Sequence, residues 1–148
     1  MAASSGHAID DVPVKTVWAR LEADPKALLV DVRTRPEWTF VGLPDLAGLG
    51  REPILIEWQV FPDGRPNAAF VEQLAAQLEQ LGADRDAELF FICRSGARSR
   101  LAAQAACQAG YQKCHNVAEG FEGPLDPHSR QRGRVGGWKA AGLPWSQS

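Results

Sequence analysis

The sequence is poor in cysteine, has no large excess of either charge, and contains no long apolar run. Its three cysteines are an odd number, so they cannot all pair within one chain, and we expect a cytoplasmic protein with reduced thiols. The formal net charge of −2 argues against the basic surface of a nucleic-acid-binding protein. No apolar run approaches the ~18–20 residues of a membrane-spanning helix, so we expect no membrane partner.

The start of the chain lacks the features of a targeting signal. Residues 1–7 have neither the basic start nor the apolar centre of a signal peptide, and we expect a disordered lead there. We expect one domain over residues 8–145, which acts as a monomer, and a C-terminal tail at 146–148. The three histidines are scattered without ligand spacing, so the sequence predicts neither a metal site nor a cofactor.

Short apolar runs alternate with helical patterns along the chain. The apolar runs predict buried strands at residues 28–30, 54–56, 88–92 and 113–117. The helical patterns predict helices at residues 12–21, 36–41, 67–81, 100–109 and 137–140. Asn67 is the expected N-cap of the third helix. The alternation predicts an α/β fold with a mostly parallel sheet, in which functional sites form outside the carboxyl ends of the strands.

The loop after the third predicted strand carries a cysteine between arginines. Its sequence is Cys93-Arg94-Ser95-Gly96-Ala97-Arg98-Ser99. Backbone N–H groups of a small-residue loop and of a first helical turn attract anions, and the arginines add positive charge. These surroundings favour a thiolate, so Cys93 is the candidate nucleophile. The alternative is a buried structural cysteine beside solvated arginines.

Residues that follow the other strands are candidates for the walls of the same site. Asp31 and Arg33 follow one strand, Trp58 follows another, and Glu119 follows a third. For Asp31 and Arg33 we favour a structural role, in which the carboxylate caps backbone N–H groups and the arginine pairs with Glu37 or another acid. The alternative is that the two residues tune the charge near the nucleophile.

Three segments together resemble the single-domain rhodaneses, the sulfurtransferases of the rhodanese-like family. The segments are Val30-Asp31-Val32-Arg33 with Pro36-Glu37-Trp38, then Cys93 to Ser99, and Gly137-Trp138-Lys139-Ala140-Ala141-Gly142-Leu143-Pro144. The cysteine loop is the most specific of the three. The resemblance implies a rhodanese-like α/β fold, with a mostly parallel five-stranded sheet and helices on both faces.

The resemblance also implies a mechanism. The family cysteine takes the outer sulfur of a donor such as thiosulfate, becomes a persulfide, and passes the sulfur to cyanide or to a thiol of a small molecule or a protein. Carried over here, Cys93 is the sulfur carrier and Arg94 to Ser99 form the active-site loop. Arg94 and Arg98 are suited to the oxyanion end of the donor, and which of them contacts it stays open.

Two alternative functions use the same loop. Phosphatases and arsenate reductases of related architecture place an arginine six positions after the cysteine, whereas Arg98 stands five positions after it and Ser99 occupies the sixth. The shorter spacing favours sulfur transfer. The other alternative is a non-catalytic rhodanese-like module that carries sulfur or binds a protein, and the intact cysteine weighs against it.

The chain departs from the family pattern after its last predicted strand. The family has a Gly-Gly turn close after this strand, whereas Gly136-Gly137-Trp138 follows much later here. For the insertion at about 121–135 we favour a solvated surface loop. The alternative hypothesis is that it folds over the mouth of the site and shapes the choice of acceptor or partner.

The other two cysteines are poorly placed to form a disulfide with Cys93. Cys107 lies ~12 Å further along the predicted helix at 1.5 Å per residue, whereas a disulfide needs Cα atoms within ~7 Å. Cys114 begins a parallel strand, at the edge of the sheet opposite the site. We therefore expect both side chains to be packed in the core.

Overall fold

The computed structural model describes residues 9–147, so the expected lead at residues 1–7 lies outside the described residues. The strands are β1 Asp11–Val12, β2 Leu28–Asp31, β3 Leu43–Pro44, β4 Ile54–Leu55, β5 Gln59–Val60, β6 Arg65–Pro66, β7 Glu88–Ile92, β8 Lys113–Val117 and β9 Trp145–Ser146. The helices are α1 Val14–Ala23, α2 Arg35–Phe40, α3 Phe70–Gln80, α4 Ala97–Gln108 and α5 Gly137–Ala140, with a 3-10 helix at Ala47–Leu49.

Five parallel strands form the central sheet, in the order β1-β8-β7-β2-β4. Two small antiparallel pairs, β3 with β9 and β5 with β6, lie outside it. The predicted α/β fold with a five-stranded sheet is confirmed. Within the described residues, no helix is both long enough and apolar enough to cross a membrane.

Helices cover both faces of the sheet because the central strands are apolar on both sides. On β7, Leu89 and Phe91 pack in one core with α3 and α4. Phe90 and Ile92 point to the other face and pack with α1 and α5. This double burial fixes β7 as a central strand, so the carboxyl end of β7 lies in the middle of the sheet edge where a site is expected.

The structure differs from the sequence-based prediction by two or more residues at three element starts. The helix expected from residue 12 begins at Val14, because Asp11 and Val12 form β1 and pair with β8. The helix expected from Asn67 begins at Phe70. The Asn67 side chain instead accepts the N–H of Ala69 and donates to a backbone carbonyl before β5. The helix expected from residue 100 begins at Ala97.

Candidate active site

The side chain of Cys93 lies at the carboxyl end of β7, where the loop into α4 turns around its sulfur. The residue is only 1% exposed. Its Sγ accepts a hydrogen bond from the Gly96 N–H at 3.1 Å and lies 3.2 Å from Ser99 Oγ. Gly96 has a φ of +114°, in the region that favours glycine, and this turn aims its N–H at the sulfur. The loop therefore surrounds Sγ with groups that can stabilise negative charge.

Asn116 of β8 supports the loop from behind, and sequence reasoning missed it. Its side-chain nitrogen donates to the Gly96 carbonyl at 3.1 Å and to Asp11 at 2.8 Å. Its side-chain oxygen lies 2.5 Å from Ser99 Oγ. A serine has one hydroxyl proton, so at any moment Ser99 donates to Asn116, to the Gly96 carbonyl or to the sulfur. The only sequence signal for this role was that Asn116 is a polar residue within the buried end of a predicted strand.

Arg98 is bound to Glu37 of α2. Two hydrogen bonds of 2.9 and 3.0 Å join the guanidinium and the carboxylate in a fork. Burial works against the charged form of Glu37, but its bonds to Arg98 and Thr34 outweigh burial and lower the pKa of Glu37. Burial also works against the charge of Arg98, but Glu37 outweighs it and raises the pKa of Arg98. This pair fixes α2 against the first turn of α4.

Arg94 has a different environment from Arg98. Its side chain is exposed and makes no hydrogen bond or ion pair with any residue from 9 to 147. Its backbone carbonyl accepts the N–H groups of Glu122 and Gly123 at 3.0 and 3.1 Å. The backbone of Arg94 is therefore fixed while its guanidinium is available to a ligand.

A cavity of about 410 Å³ opens above the sulfur. It is lined by Glu37, Gln59, Cys93, Arg94, Ser95, Ala97 and Arg98. The structure thus gathers the predicted loop residues around one cavity, with Gly96 and Ser99 behind the sulfur. Sequence reasoning missed Gln59 as a wall, and it treated Glu37 only as a partner for another arginine. Within residues 9–147, no three His, Cys, Asp or Glu side chains are placed to hold a metal ion.

The four candidate wall residues do not line this cavity. Asp31 and Arg33 form a fully buried ion pair of 2.7 Å. Asp31 also accepts the backbone N–H of Arg33, as the structural interpretation predicts, whereas Glu37 is not the partner of Arg33. Trp58 packs edge-to-face against Phe70, with ring centroids 5.0 Å apart. Glu119 is exposed, with a positive φ of 64°.

The start of the insertion at 121–135 is bonded to the back of the cysteine loop. Phe121 N–H donates to the Cys93 carbonyl at 2.8 Å, next to the two bonds that reach the Arg94 carbonyl. No residue of the insertion lines the cavity above Sγ, so the hypothesis that it folds over the mouth is wrong. Its hypothesised influence on acceptor choice stays a prediction.

Cys107 and Cys114 are both buried in the core that α4 forms with the sheet. Burial, with a smaller contribution from the charge of Cys107, raises the pKa of Cys114 to about 12. The expectation that both side chains pack in the core is confirmed.

Comparisons with known proteins agree with this architecture. A family model described as the STR4 middle domain matches residues 10–148. The crystal structure of Rv0390 from M. tuberculosis is 42% identical, with a TM-score of 0.85 over 96% of this chain and 100% of that chain. The uncharacterized protein RC0915 of Rickettsia conorii is 36% identical over 125 residues, which are 84% of this chain and 87% of that protein. The chloroplastic rhodanese-like domain-containing protein 4 of Arabidopsis thaliana is 23% identical over 88% of this chain and 24% of its own length.

Proposed function

The chain belongs to the STR4 middle domain family of rhodanese-like proteins, and from that premise we propose that it is a sulfurtransferase with Cys93 as the sulfur carrier. The observation that carries the proposal is the placement of Sγ at the floor of the 410 Å³ cavity, 3.1 Å from an N–H donor. A persulfide on Cys93 is anionic, so the same donor and the nearby arginines would stabilise it.

In the first half of the reaction, the Cys93 thiolate attacks the outer sulfur of a donor such as thiosulfate. A bond forms between Sγ and that sulfur, the S–S bond of thiosulfate breaks, and sulfite leaves with the bonding electron pair. Arg94 binds the oxyanion end of the donor, because its guanidinium has no other partner among residues 9–147. Arg98 acts mainly by holding the loop through Glu37.

In the second half, an acceptor attacks the outer sulfur of the persulfide. With cyanide, a C–S bond forms, the bond between the two sulfurs breaks, and the electron pair returns to Sγ as thiocyanate leaves. With a thiolate acceptor the new bond is S–S, and the product is the persulfide of the acceptor. The acceptor is a small molecule or the thiol of a partner protein. The enzyme is proposed to act in the cytoplasm as a monomer, without a nucleic-acid or membrane partner.

The state of Arg98 supports sulfur transfer over phosphate chemistry. A phosphatase needs the arginine of its loop to bind the phosphate, whereas both terminal nitrogens of Arg98 bind the Glu37 carboxylate.

Activity with thiosulfate and cyanide tests the proposal. The purified protein should form thiocyanate, the Cys93→Ala variant should form none, and Cys107→Ala should retain the activity because Cys107 lies in the core. Wild-type protein that forms no thiocyanate, or a Cys93→Ala variant that forms as much as the wild type, would contradict the proposal.

A further inference from the structure

A second cavity, which we call the α2–α3 cavity, lies beside the one that holds Cys93. It has a volume of about 490 Å³ and is bounded by α2, residues 55–60 and α3. This volume falls in the range of small-molecule sites. No residue of the cysteine loop lines it, so the mechanism proposed above does not use it.

The two cavities share a wall. Glu37 and Gln59 line the Cys93 cavity, and the residues that follow them, Trp38 and Val60, line the α2–α3 cavity. A ligand that spans this wall would place a reactive group above Cys93 and its remaining atoms in the α2–α3 cavity. A cavity in this position suits the non-reacting part of an acceptor better than it suits an effector that takes no part in the reaction.

The walls of the α2–α3 cavity carry polar groups that have no protein partner. The Nε1–H of Trp38 is buried and has no acceptor in the described part of the chain. An unpaired buried donor is unfavourable, and because this one is enclosed by the protein it belongs to the wall of the cavity and does not itself contact a ligand. The side-chain amide of Gln77 also makes no hydrogen bond with residues 9–147. The Gln77 amide is suited to the carbonyl and N–H groups of a peptide.

The same walls carry one charge of each sign, and the two charges do not neutralise each other. The Glu57 carboxylate accepts the backbone N–H of Arg35 at 3.0 Å. The guanidinium of Arg35 forms no ion pair with Glu57 or with any other residue in the 9–147 range. A cavity with an available cation and an available anion matches a zwitterion, whose carboxylate and ammonium can pair with both.

We propose that the α2–α3 cavity binds the zwitterionic end of a short thiol peptide, whose cysteine thiol reaches the persulfide on Cys93. This inference rests on the proposed function and names the class of its acceptor. The acceptor thiolate attacks the outer sulfur, a new S–S bond forms, and the bond from that sulfur to Sγ breaks with its electron pair returning to Sγ. Arg35, Glu57 and Gln77 determine the acceptor specificity of the enzyme.

Acceptor kinetics with reduced glutathione as the probe test this inference. Arg35→Gln and Glu57→Gln should each raise the KM for glutathione by about tenfold, the factor expected for the loss of one charge-assisted hydrogen bond. The kcat with glutathione and the kinetics with cyanide should stay unchanged. Lys15→Gln removes a charge from the exposed surface of α1 and should alter neither acceptor. An unchanged KM for glutathione in both cavity variants would overturn the inference.

A binding measurement separates a failure of this inference from a failure of the proposed function. S-methylglutathione cannot accept sulfur, and it should shift the indole N–H signal of Trp38 in a 15N-resolved NMR spectrum, with the signal assigned through Trp38→Phe. N-acetylated S-methylglutathione lacks the ammonium and should bind about tenfold more weakly. An unmoved Trp38 signal would overturn the inference. Absence of thiocyanate formation would instead contradict the proposed function.

Discussion

The two arginines of the cysteine loop differ in what they can contact, although both line the same cavity. Arg98 is held by Glu37 through two hydrogen bonds, and its raised pKa reflects that pairing. Arg94 is exposed and unpaired within the described residues. A free guanidinium can bind an incoming anion without first losing another partner. At the residue scale, the proposed reaction therefore uses Arg94 for donor binding and Arg98 for loop positioning.

The substitution Arg94→Gln tests this division of roles. Because we propose that Arg94 binds the donor, its loss should raise the KM for thiosulfate by roughly five- to tenfold. The unfolding midpoint should stay close to that of the wild type, since the side chain supports no other residue. The measurement is steady-state kinetics at fixed cyanide, with Lys15→Gln as the charge control. A KM for thiosulfate that does not change would show that Arg94 does not bind the donor.

At the scale of elements, the site is assembled by contacts between the ends of strands and helices. The fork between Glu37 and Arg98 joins α2 to α4, and the capping box of Thr34 and Glu37 begins α2. Asn116 joins β8 to the cysteine loop. The loop geometry thus depends on side chains from two elements, α2 and β8, that are distant from the loop in sequence.

The variant Glu37→Gln should weaken the link between α2 and α4. Loss of the carboxylate leaves the half-buried Arg98 without its charged partner, and we expect unfolding free energy to fall by roughly 1–2 kcal/mol at neutral pH. Asp63→Asn breaks an exposed pair with Arg65 and should leave the unfolding free energy close to that of the wild type.

The same pair predicts a dependence on pH. The pKa of Glu37 is lowered by folding, so the stability from this group is present above its unfolded pKa and is lost as pH falls through its folded pKa. The difference in unfolding free energy between wild type and Glu37→Gln should therefore shrink in acid. Urea titrations at neutral and acidic pH measure it, and a difference that stays constant would contradict the role of the pair.

Gly120 marks a second contact between elements, where the chain after β8 passes the cysteine loop. A Cβ at Gly120 would lie 2.4 Å from the Cys93 carbonyl oxygen, and its φ is +65°. Gly82 has a similar φ of +72°, but among residues 9–147 no atom outside Gly82 and its two chain neighbours lies within 4 Å of the position of a Cβ.

Replacing each glycine by alanine separates backbone strain from the close approach. Gly82→Ala should cost about 1 kcal/mol from its positive φ alone. Gly120→Ala should cost clearly more and should also lower sulfurtransferase activity, because the Cys93 carbonyl has to move. Thermal unfolding and thiocyanate formation check this. Equal effects of the two variants on both measurements would refute the close approach as the cause.

At the scale of the whole molecule, the core holds two cysteines that the proposed reaction does not use. Burial raises the pKa of Cys114 to about 12 from a reference value of 9.0. Between these two pH values the Cys114 thiol stays protonated in the folded protein, whereas in the unfolded chain it has already lost its proton. The contribution of the Cys114 thiol to the unfolding free energy is therefore fully present below about pH 9, and it is lost as the pH rises toward about 12.

The variant Cys114→Ala should remove part of this alkaline dependence. Its unfolding free energy should be lower than that of the wild type at neutral pH, because a buried side chain has been truncated. The fall in unfolding free energy between pH 8 and the alkaline range should be smaller than in the wild type. Denaturant titrations across this range provide the comparison, and parallel pH curves would argue against the raised pKa.

Much of the fold could be predicted from the sequence because the central strands are buried on both faces and read as apolar runs. The two residues of β1 were missed, since they are too few to show any periodicity and gain their place only by pairing with Asn116 and Val117. The cysteine loop was found because its chemistry is local. The fork between Glu37 and Arg98 was not, because the two residues are 61 positions apart and only the fold brings them together.

The most direct test of the central claim is the location of the transferred sulfur. Wild-type protein is treated with thiosulfate, freed of excess donor and analysed by mass spectrometry of the intact chain and its peptides. We predict a gain of one sulfur atom on the peptide that contains Cys93, and the loss of that gain after cyanide is added. A variant with both Cys107 and Cys114 replaced by alanine should gain the sulfur as well. No added sulfur, or added sulfur that persists in Cys93→Ala, would contradict Cys93 as the persulfide carrier.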